Sequence, residues 1–365
     1  MFHTNINLVL FGNGNVGNTL VKQLREASGF IQSSLNLKLN LIGLADSNKF
    51  QFNPNGIVNA KGKIIEIEDY HLNDMIQLLQ LHQMENLIAI DATASHTLSS
   101  SYKFLISNGF HIVAANKIAN TDSQKNYNEL REALHKYDKS FRYETNVGAG
   151  LPVIETVKGL YECGDEITKI RGVFSGSLSY IFNTFCKADI SFSAVVRDAL
   201  KLGYTEPDPR IDLSGKDVAR KLLILAREVG ISFELEEVKI RSLLIPNLDE
   251  QSSLNWFLRN LSELDEPFET AKITQKPNYV LRYIGELNVK NKTLEVKLVS
   301  EPENSSLGQL KGTDSLFEIY TTSYGEEPLV IRGAGAGKEV TARGLLSDVI
   351  KIAKATVITK KIDVF

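Results

Sequence analysis

Apolar runs recur along the first 146 residues in a strand-then-helix rhythm. Ile6-Asn7-Leu8-Val9-Leu10-Phe11 is apolar at nearly every position, as a strand buried on both faces would be. Residues 18–27 carry apolar side chains near helical spacing, and residues 37–44 alternate before becoming continuously apolar. An amphipathic helix is predicted at 71–81 and short buried strands at 87–91 and 111–115, joined by a helix at about 98–107. Strand alternating with helix in this way predicts a parallel sheet covered on both faces, a doubly wound α/β domain.

The rhythm changes in Thr145-Asn146-Val147-Gly148-Ala149-Gly150-Leu151-Pro152, which is rich in glycine and resumes as a helix with proline near its start. The second region predicts helices at 152–161, 178–187, 193–202 and 215–229 and strands at 167–174, 279–288, 293–300 and 316–323. That is a mixed α/β domain. Gly333-Ala334-Gly335-Ala336-Gly337 precedes a last helix at about 339–355. The expected organisation is a dinucleotide-type domain at 1–147, a catalytic and dimerisation domain at 148–330, and a segment at 331–365 returning to the first domain.

Composition narrows the function classes. The chain has 365 residues, 43% of them hydrophobic, enough for two cores. A net charge of -3 offers no basic field for nucleic acid. No apolar run reaches the ~18 residues of a membrane span, and the first strand begins too early to leave room for a signal peptide. Cys163 and Cys186 form no CxxC or paired spacing, so neither a disulfide nor a zinc framework is expected, and a cytoplasmic location is.

Gly12-Asn13-Gly14-Asn15-Val16-Gly17 is a G-x-G-x-x-G loop. Glycine clusters are common in turns, but this one follows a strand and opens a helix, the context in which it cradles a dinucleotide. Gly12 permits the tight turn, Gly14 lets backbone approach a pyrophosphate, and Gly17 allows close helix–strand packing. Asp46, at the end of the second strand, is placed to bond a ribose hydroxyl and repel a 2′-phosphate, which favours NAD. It could instead simply begin a turn. Ser47, Asn48 and Lys49 follow and could bind a phosphate, so NAD and NADP both stay open. Thr93, Ala94 and Ser95 follow the strand 87–91 at the same sheet edge, either as cofactor contacts or as a plain helix-capping loop. Asn116 and Lys117 follow the strand 111–115 there too, and a lone lysine is commonly just a solvated charge.

The densest chemistry lies between Gly203 and Lys221. Pro207 and Pro209 stiffen a loop carrying Glu206, Asp208 and Asp212, and Asp217 and Lys221 lie one turn apart on a largely buried helix. Ser214 with Asp217 also reads as an ordinary capping box, and Asp217–Lys221 as an ordinary helix pair. The converging acids suit an ammonium-bearing substrate. A lysine against apolar surface can lose its proton more readily, which makes it a usable general base or acid.

With these residues in view the chain resembles homoserine dehydrogenase, and most of all the dehydrogenase half of bifunctional aspartokinase–homoserine dehydrogenases. The resemblance rests on the stretches 11–17, 115–117, 145–152, 175–182, 203–210 and 217–221 and on the glycine tail with Val340-Thr341-Ala342, nearly the whole chain. It implies interconversion of L-homoserine and L-aspartate 4-semialdehyde with NAD or NADP, in threonine and methionine biosynthesis. By position it implies that Lys221 transfers the hydroxyl proton, that Lys117 stabilises the alkoxide, and that Glu206 and Asp217, with Asp212 and Gly176, hold the substrate. Asn13, Val16, Thr93 and Gly337 would touch the cofactor. A monovalent cation, sodium, would sit on backbone carbonyls of Glu144, Val147, Ala149 and Leu151. A homodimer is implied, without nucleic acid or membrane. The family is often regulated through an attached kinase or ACT domain, and this chain is expected to carry neither. Asp46 departs from the residue expected of a strongly NADP-selective member. The rival readings are a non-catalytic dinucleotide-sensing protein on the same fold and a thiol-dependent semialdehyde dehydrogenase, which neither cysteine's context favours.

Overall fold

The computed structural model describes residues 3–57, 63–248 and 253–362. The chain divides into two compact units, one of Met1–Gly150 with Gly337–Phe365 and one of Leu151–Ala336. The divisions fall at 150/151 and 336/337, not at the expected 147/148 and 330/331. The later shift has a plain cause: Leu329–Ala334 is a strand of the second unit, so the first residues of the glycine tail are sheet.

In the first unit the strands are β1 (Thr4–Phe11), β2 (Leu37–Ala45), β3 (Lys49–Phe52), β4 (Ile65–Glu68), β5 (Leu87–Asp91), β6 (His111–Ala114) and β7 (Phe141–Arg142). They form one sheet in the order β4-β3-β2-β1-β5-β6-β7. β1 pairs in parallel with β2 and β5, and the parallel run continues through β6 to β7. β3 and β4 are antiparallel, so the expected parallel sheet carries an antiparallel hairpin at one edge. Lys49–Phe52 shows why: Phe50 and Phe52 are buried and alternate with more exposed neighbours, the pattern of a strand with one face on the core.

Successive side chains of β1 feed two cores. Val9 and Phe11 pack with Phe50, Phe52, Met75, Leu79 and Leu105 on one face. Leu8 and Leu10 pack on the other with Leu20 and Leu24 of the helix Asn15–Leu35 and with Leu345, Leu346 and Val349 of the helix Lys338–Ile362. Ala342, Leu345, Leu346, Val349, Ile352 and Ala353 are all buried at helical spacing, so this last helix covers the first unit's sheet. Each buried leucine or valine there contributes about 1.5–3 kcal/mol.

The second unit's strands are β8 (Ile167–Val173), β9 (Lys239–Ile240), β10 (Tyr279–Asn288), β11 (Thr293–Pro302), β12 (Asp314–Thr321) and β13 (Leu329–Ala334). Their order is β13-β12-β8-β10-β11-β9, antiparallel except for the β9–β11 pair. The helices Gly176–Lys187 and Lys216–Glu228 pack on this sheet. No helix among the described residues is long and apolar enough to cross a membrane.

Candidate active site

The glycine loop leaves β1 directly. Gly12 has φ +96°, and its N–H donates to Ala45 O at 2.8 Å, tying the loop to the end of β2. A Cβ on Gly17 would lie 1.9 Å from Gly12 O, so helix and loop touch backbone to backbone. At Gly14 a Cβ would meet nothing within 4 Å. Gly14 is the N-cap of Asn15–Leu35 and makes no side-chain cap, so first-turn N–H groups are left for a ligand. Asn15, Val16 and Gly17 form that turn. Gly12, Asn13, Gly14, Asp46, Thr93 and Ser95 line a cavity of about 760 Å³, whereas Ala94, Asn116, Lys117 and Gly337 are outside its wall. Gly337, at φ +123°, immediately precedes the last helix.

Asp46 follows β2. Its Oδ1 accepts from Asn48 N at 2.9 Å and Lys49 N at 2.8 Å, and its Oδ2 lies 3.5 Å from Asn13 Nδ2. The Asn48 and Lys49 amides hold its carboxyl below the usual carboxylate range. The residue therefore begins a turn and also faces the cavity.

Behind the wall lies a group that the sequence marked only as the end of a strand. Asp91 is buried at 2% exposure. Its Oδ1 accepts from Thr93 N (2.8 Å) and Thr93 Oγ1 (2.7 Å), and its Oδ2 from Tyr102 Oη (2.6 Å) and Asn116 Nδ2 (3.0 Å). Asn116 Nδ2 also reaches Ser95 O at 2.8 Å, and Asn116 Oδ1 accepts from Ile118 N at 3.0 Å. Burial pushes the Asp91 carboxyl up, and burial beside Asp91 pushes the Tyr102 phenol well above its ordinary value. One carboxylate thus fixes both loops that carry Thr93, Ser95, Asn116 and Lys117. Lys117 itself is half-buried at the start of a short helix, Ile118–Thr121.

In the second unit Lys221 lies on Lys216–Glu228, a helix buried on nearly every face. Lys221 is 8% exposed. Its Nζ donates to Phe174 O at 2.7 Å and pairs with Asp217 Oδ2 at 2.8 Å. Phe174 directly follows β8, just before Ser175 caps Gly176–Lys187. The expected Ser214–Asp217 capping box is not formed. Gly215 is the N-cap, at φ +74°, where a Cβ would meet Tyr283 Oη at 2.3 Å, and Ser214 Oγ accepts from Lys216 N instead.

The four converging acids divide into two kinds. Asp208 is gripped by the buried Arg210, with Nη2 to Oδ2 at 2.6 Å, which holds its carboxyl below the usual range. Asp212 accepts Ser177 Oγ at 2.6 Å and Glu206 N at 2.9 Å. Burial raises its carboxyl, and the charges of Glu206 and Asp217 add to this. Both serve the loop's shape. Glu206 is exposed, and the Asp217 side chain is 41% exposed. Gly176 packs under Thr313 O, 3.0 Å from where its Cβ would stand. Glu144, Val147 and Ala149 end the first unit, where Gly148 (φ +79°) and Ala149 (φ +52°) bend the chain, and Leu151 begins the second.

Profiles of known families match both units. The profile described as homoserine dehydrogenase covers residues 152–350, and that of the homoserine dehydrogenase NAD binding domain covers residues 12–144. The chain belongs to the homoserine dehydrogenase family. It is 38% identical over 96% of its length to the bifunctional aspartokinase/homoserine dehydrogenase 1, chloroplastic, of Zea mays, and 39% identical over 95% to the bifunctional aspartokinase/homoserine dehydrogenase of Buchnera aphidicola. It spans only 38% and 42% of those curated relatives. A crystal structure of a Candida auris protein of unknown function superimposes with TM-score 0.86 at 32% identity, covering 96% of this chain and 98% of that one. A hyperthermophilic archaeal homoserine dehydrogenase in complex with NADPH shares the fold, with TM-score 0.70 at 21% identity and coverage of 96% and 98%. The family's NAD binding match spans the cavity residues from Gly12 onward, and its other match spans the Lys221 helix and the carboxylates.

Proposed function

We propose that this chain is an NAD(P)-dependent oxidoreductase that interconverts L-homoserine and L-aspartate 4-semialdehyde, a step of threonine and methionine biosynthesis. The observation that carries the reading is Lys221, a buried lysine fixed by Phe174 O and Asp217 inside the stretch matched to homoserine dehydrogenase.

The dinucleotide fits the first unit. The backbone approach at Gly14, the uncapped helix start and the cavity walled by Asp46 and Thr93 supply what its phosphates and ribose require. When bound, its nicotinamide supplies or accepts the hydride. The chain's own residues do the rest. Glu206 and Asp217 hold the substrate ammonium by charge. Lys221 exchanges the proton of the substrate oxygen, and its two fixed partners aim Nζ. Lys117, on the loop braced by Asp91 and Asn116, stabilises negative charge developing on that oxygen. Asp212 and Gly176 shape the pocket floor through Ser177 and the helix start. A sodium ion on the carbonyls of Glu144, Val147, Ala149 and Leu151, and a cytoplasmic homodimer, complete the reading. Two free cysteines suit a reducing compartment.

The test is absorbance at the reduced-nicotinamide band with L-homoserine and NAD or NADP. Turnover with either supports the reading. Cofactor binding with no turnover would favour a dinucleotide-sensing protein on the same fold.

A further inference from the structure

We infer that this chain is built to take NAD and to reject NADP, with Asp46 as the discriminating residue and Lys49 withheld from the part of phosphate ligand. The inference rests on the dinucleotide reading above and goes beyond it to the choice of cofactor.

Asp46 stands where the choice is made. Phe11 is in register with Ala45, and Gly12 N bonds Ala45 O, so the phosphate loop and Asp46 leave neighbouring strands side by side. In dinucleotide folds the residue ending the second strand meets the ribose that carries the 2′ substituent. Two backbone amides occupy Oδ1 of Asp46, and Oδ2 has one long contact, to Asn13. A carboxylate oxygen so placed accepts a bond from a 2′-hydroxyl. A 2′-phosphate carries roughly -1.5 to -2 charge and only acceptor oxygens, so the same oxygen repels it.

The sequence left a counterweight in Ser47, Asn48 and Lys49, and the structure removes most of it. The Asn48 and Lys49 N–H groups are consumed by Asp46. Lys49 Nζ lies 2.6 Å from Glu66 Oε2 and 3.4 Å from Glu68 Oε1. The β3–β4 register produces this grip: Lys49 sits opposite Glu68, and Gln51, opposite Glu66, donates to Glu66 Oε1 at 2.7 Å. Among the described residues, those lining the cavity include no lysine or arginine. They do include His71, the N-cap of the helix Leu72–Leu81, whose backbone N–H donates to Asp74 Oδ2 at 2.9 Å. A 2′-phosphate would therefore meet one fixed anion, and the cation nearest in sequence is already paired twice.

The test is fluorescence titration of the intact chain with NADH and with NADPH, in the absence of homoserine. NADH is expected to bind at least ~10²-fold more tightly, the scale of a like-charge clash. Asp46→Asn keeps an oxygen for the two amides and so keeps the turn, while removing the charge; it should narrow the ratio at least ~10-fold. Adding Glu66→Gln and Glu68→Gln, which release Lys49, should narrow it further. Equal or tighter NADPH binding by the wild type, or an unchanged ratio in Asp46→Asn, would overturn the inference. Because substrate is absent, a clear NADH preference with no homoserine turnover would sink the dehydrogenase reading and leave this one standing. Binding of neither nucleotide would sink both.

Discussion

Asp91 in the first unit and Asp212 in the second are both buried carboxylates raised by desolvation, and both tie loops together. Their surroundings differ. Asp91 has only neutral partners, Thr93, Tyr102 and Asn116, and what it presents to the cavity is shaped backbone and hydroxyls. Asp212 holds Ser177 and the Glu206 amide among like charges, with Lys221 and Arg210 each paired to another acid nearby in sequence. The first site is made by the path of the main chain. The second is made by charges that need one another. Substitutions should therefore fail differently in the two: by geometry in the first and by loss of a charged partner in the second.

The largest effect is expected at Lys221. Lys221→Ala should lower kcat at least ~10²-fold in initial-rate assays while nucleotide binding, read by fluorescence, stays near wild type. Retention of most activity would remove the proton-transfer role. Gly17→Ala is the counterpart in the first unit. Its Cβ would need to displace backbone now 1.9 Å away, so both nucleotide affinity and Tm should fall, the stability loss being about 1–3 kcal/mol or more. Normal nucleotide binding by this variant would show that the loop does not depend on that contact.

A finer comparison lies within the acid cluster. Glu206→Ala should raise KM for homoserine about tenfold or more with a smaller change in kcat, because an exposed carboxylate is lost from the ammonium's site. Asp208→Ala should act through stability, since it removes a carboxylate that grips the buried Arg210. If Asp208→Ala changed KM alone and left Tm untouched, the division of the four acids would be wrong.

The smallest effect concerns pH. Burial lowers the His111 imidazole from 6.5 to about 4, and its Nδ1 accepts from Ser140 N at 3.0 Å. A histidine depressed in the folded state adds stability above the unfolded value and loses it as pH falls from 6.5 towards 4. The loss is at most about 3 kcal/mol, and His111→Gln should flatten that part of a stability–pH profile. A profile unchanged by the substitution would mean that His111 titrates as if exposed.

Much of the fold is legible in the sequence because it follows local periodicity. β5 and β10 match the predicted limits, 87–91 and 279–288, and the glycine loop could be read because Gly12 and Gly17 answer backbone requirements. The hairpin β3–β4 was not legible. Its four-residue strands are too short for a periodic signal, and its pairing joins residues far apart in sequence, Lys49 with Glu68 and Phe52 with Ile65. The same register hides the grip of Glu66 and Glu68 on Lys49, which left the phosphate question open. Asp208 and Asp212 read with Glu206 and Asp217 as one converging cluster because composition shows charge and not partners. Ser214 looked like a cap because its spacing to Asp217 was right, whereas Gly215 at positive φ starts the helix. The held position of Lys221 was legible, since it has an acid one turn away and sits beside the apolar stripe of Leu222, Leu223 and Leu225.

The most direct test of dehydrogenase function is the initial rate of nucleotide reduction with L-homoserine, run with NAD and NADP in parallel on the wild type and on Lys221→Ala. Homoserine-dependent turnover that is faster with NAD and falls at least ~10²-fold in the variant is the expected result. Tight nucleotide binding with no homoserine-dependent rate in the wild type would contradict it.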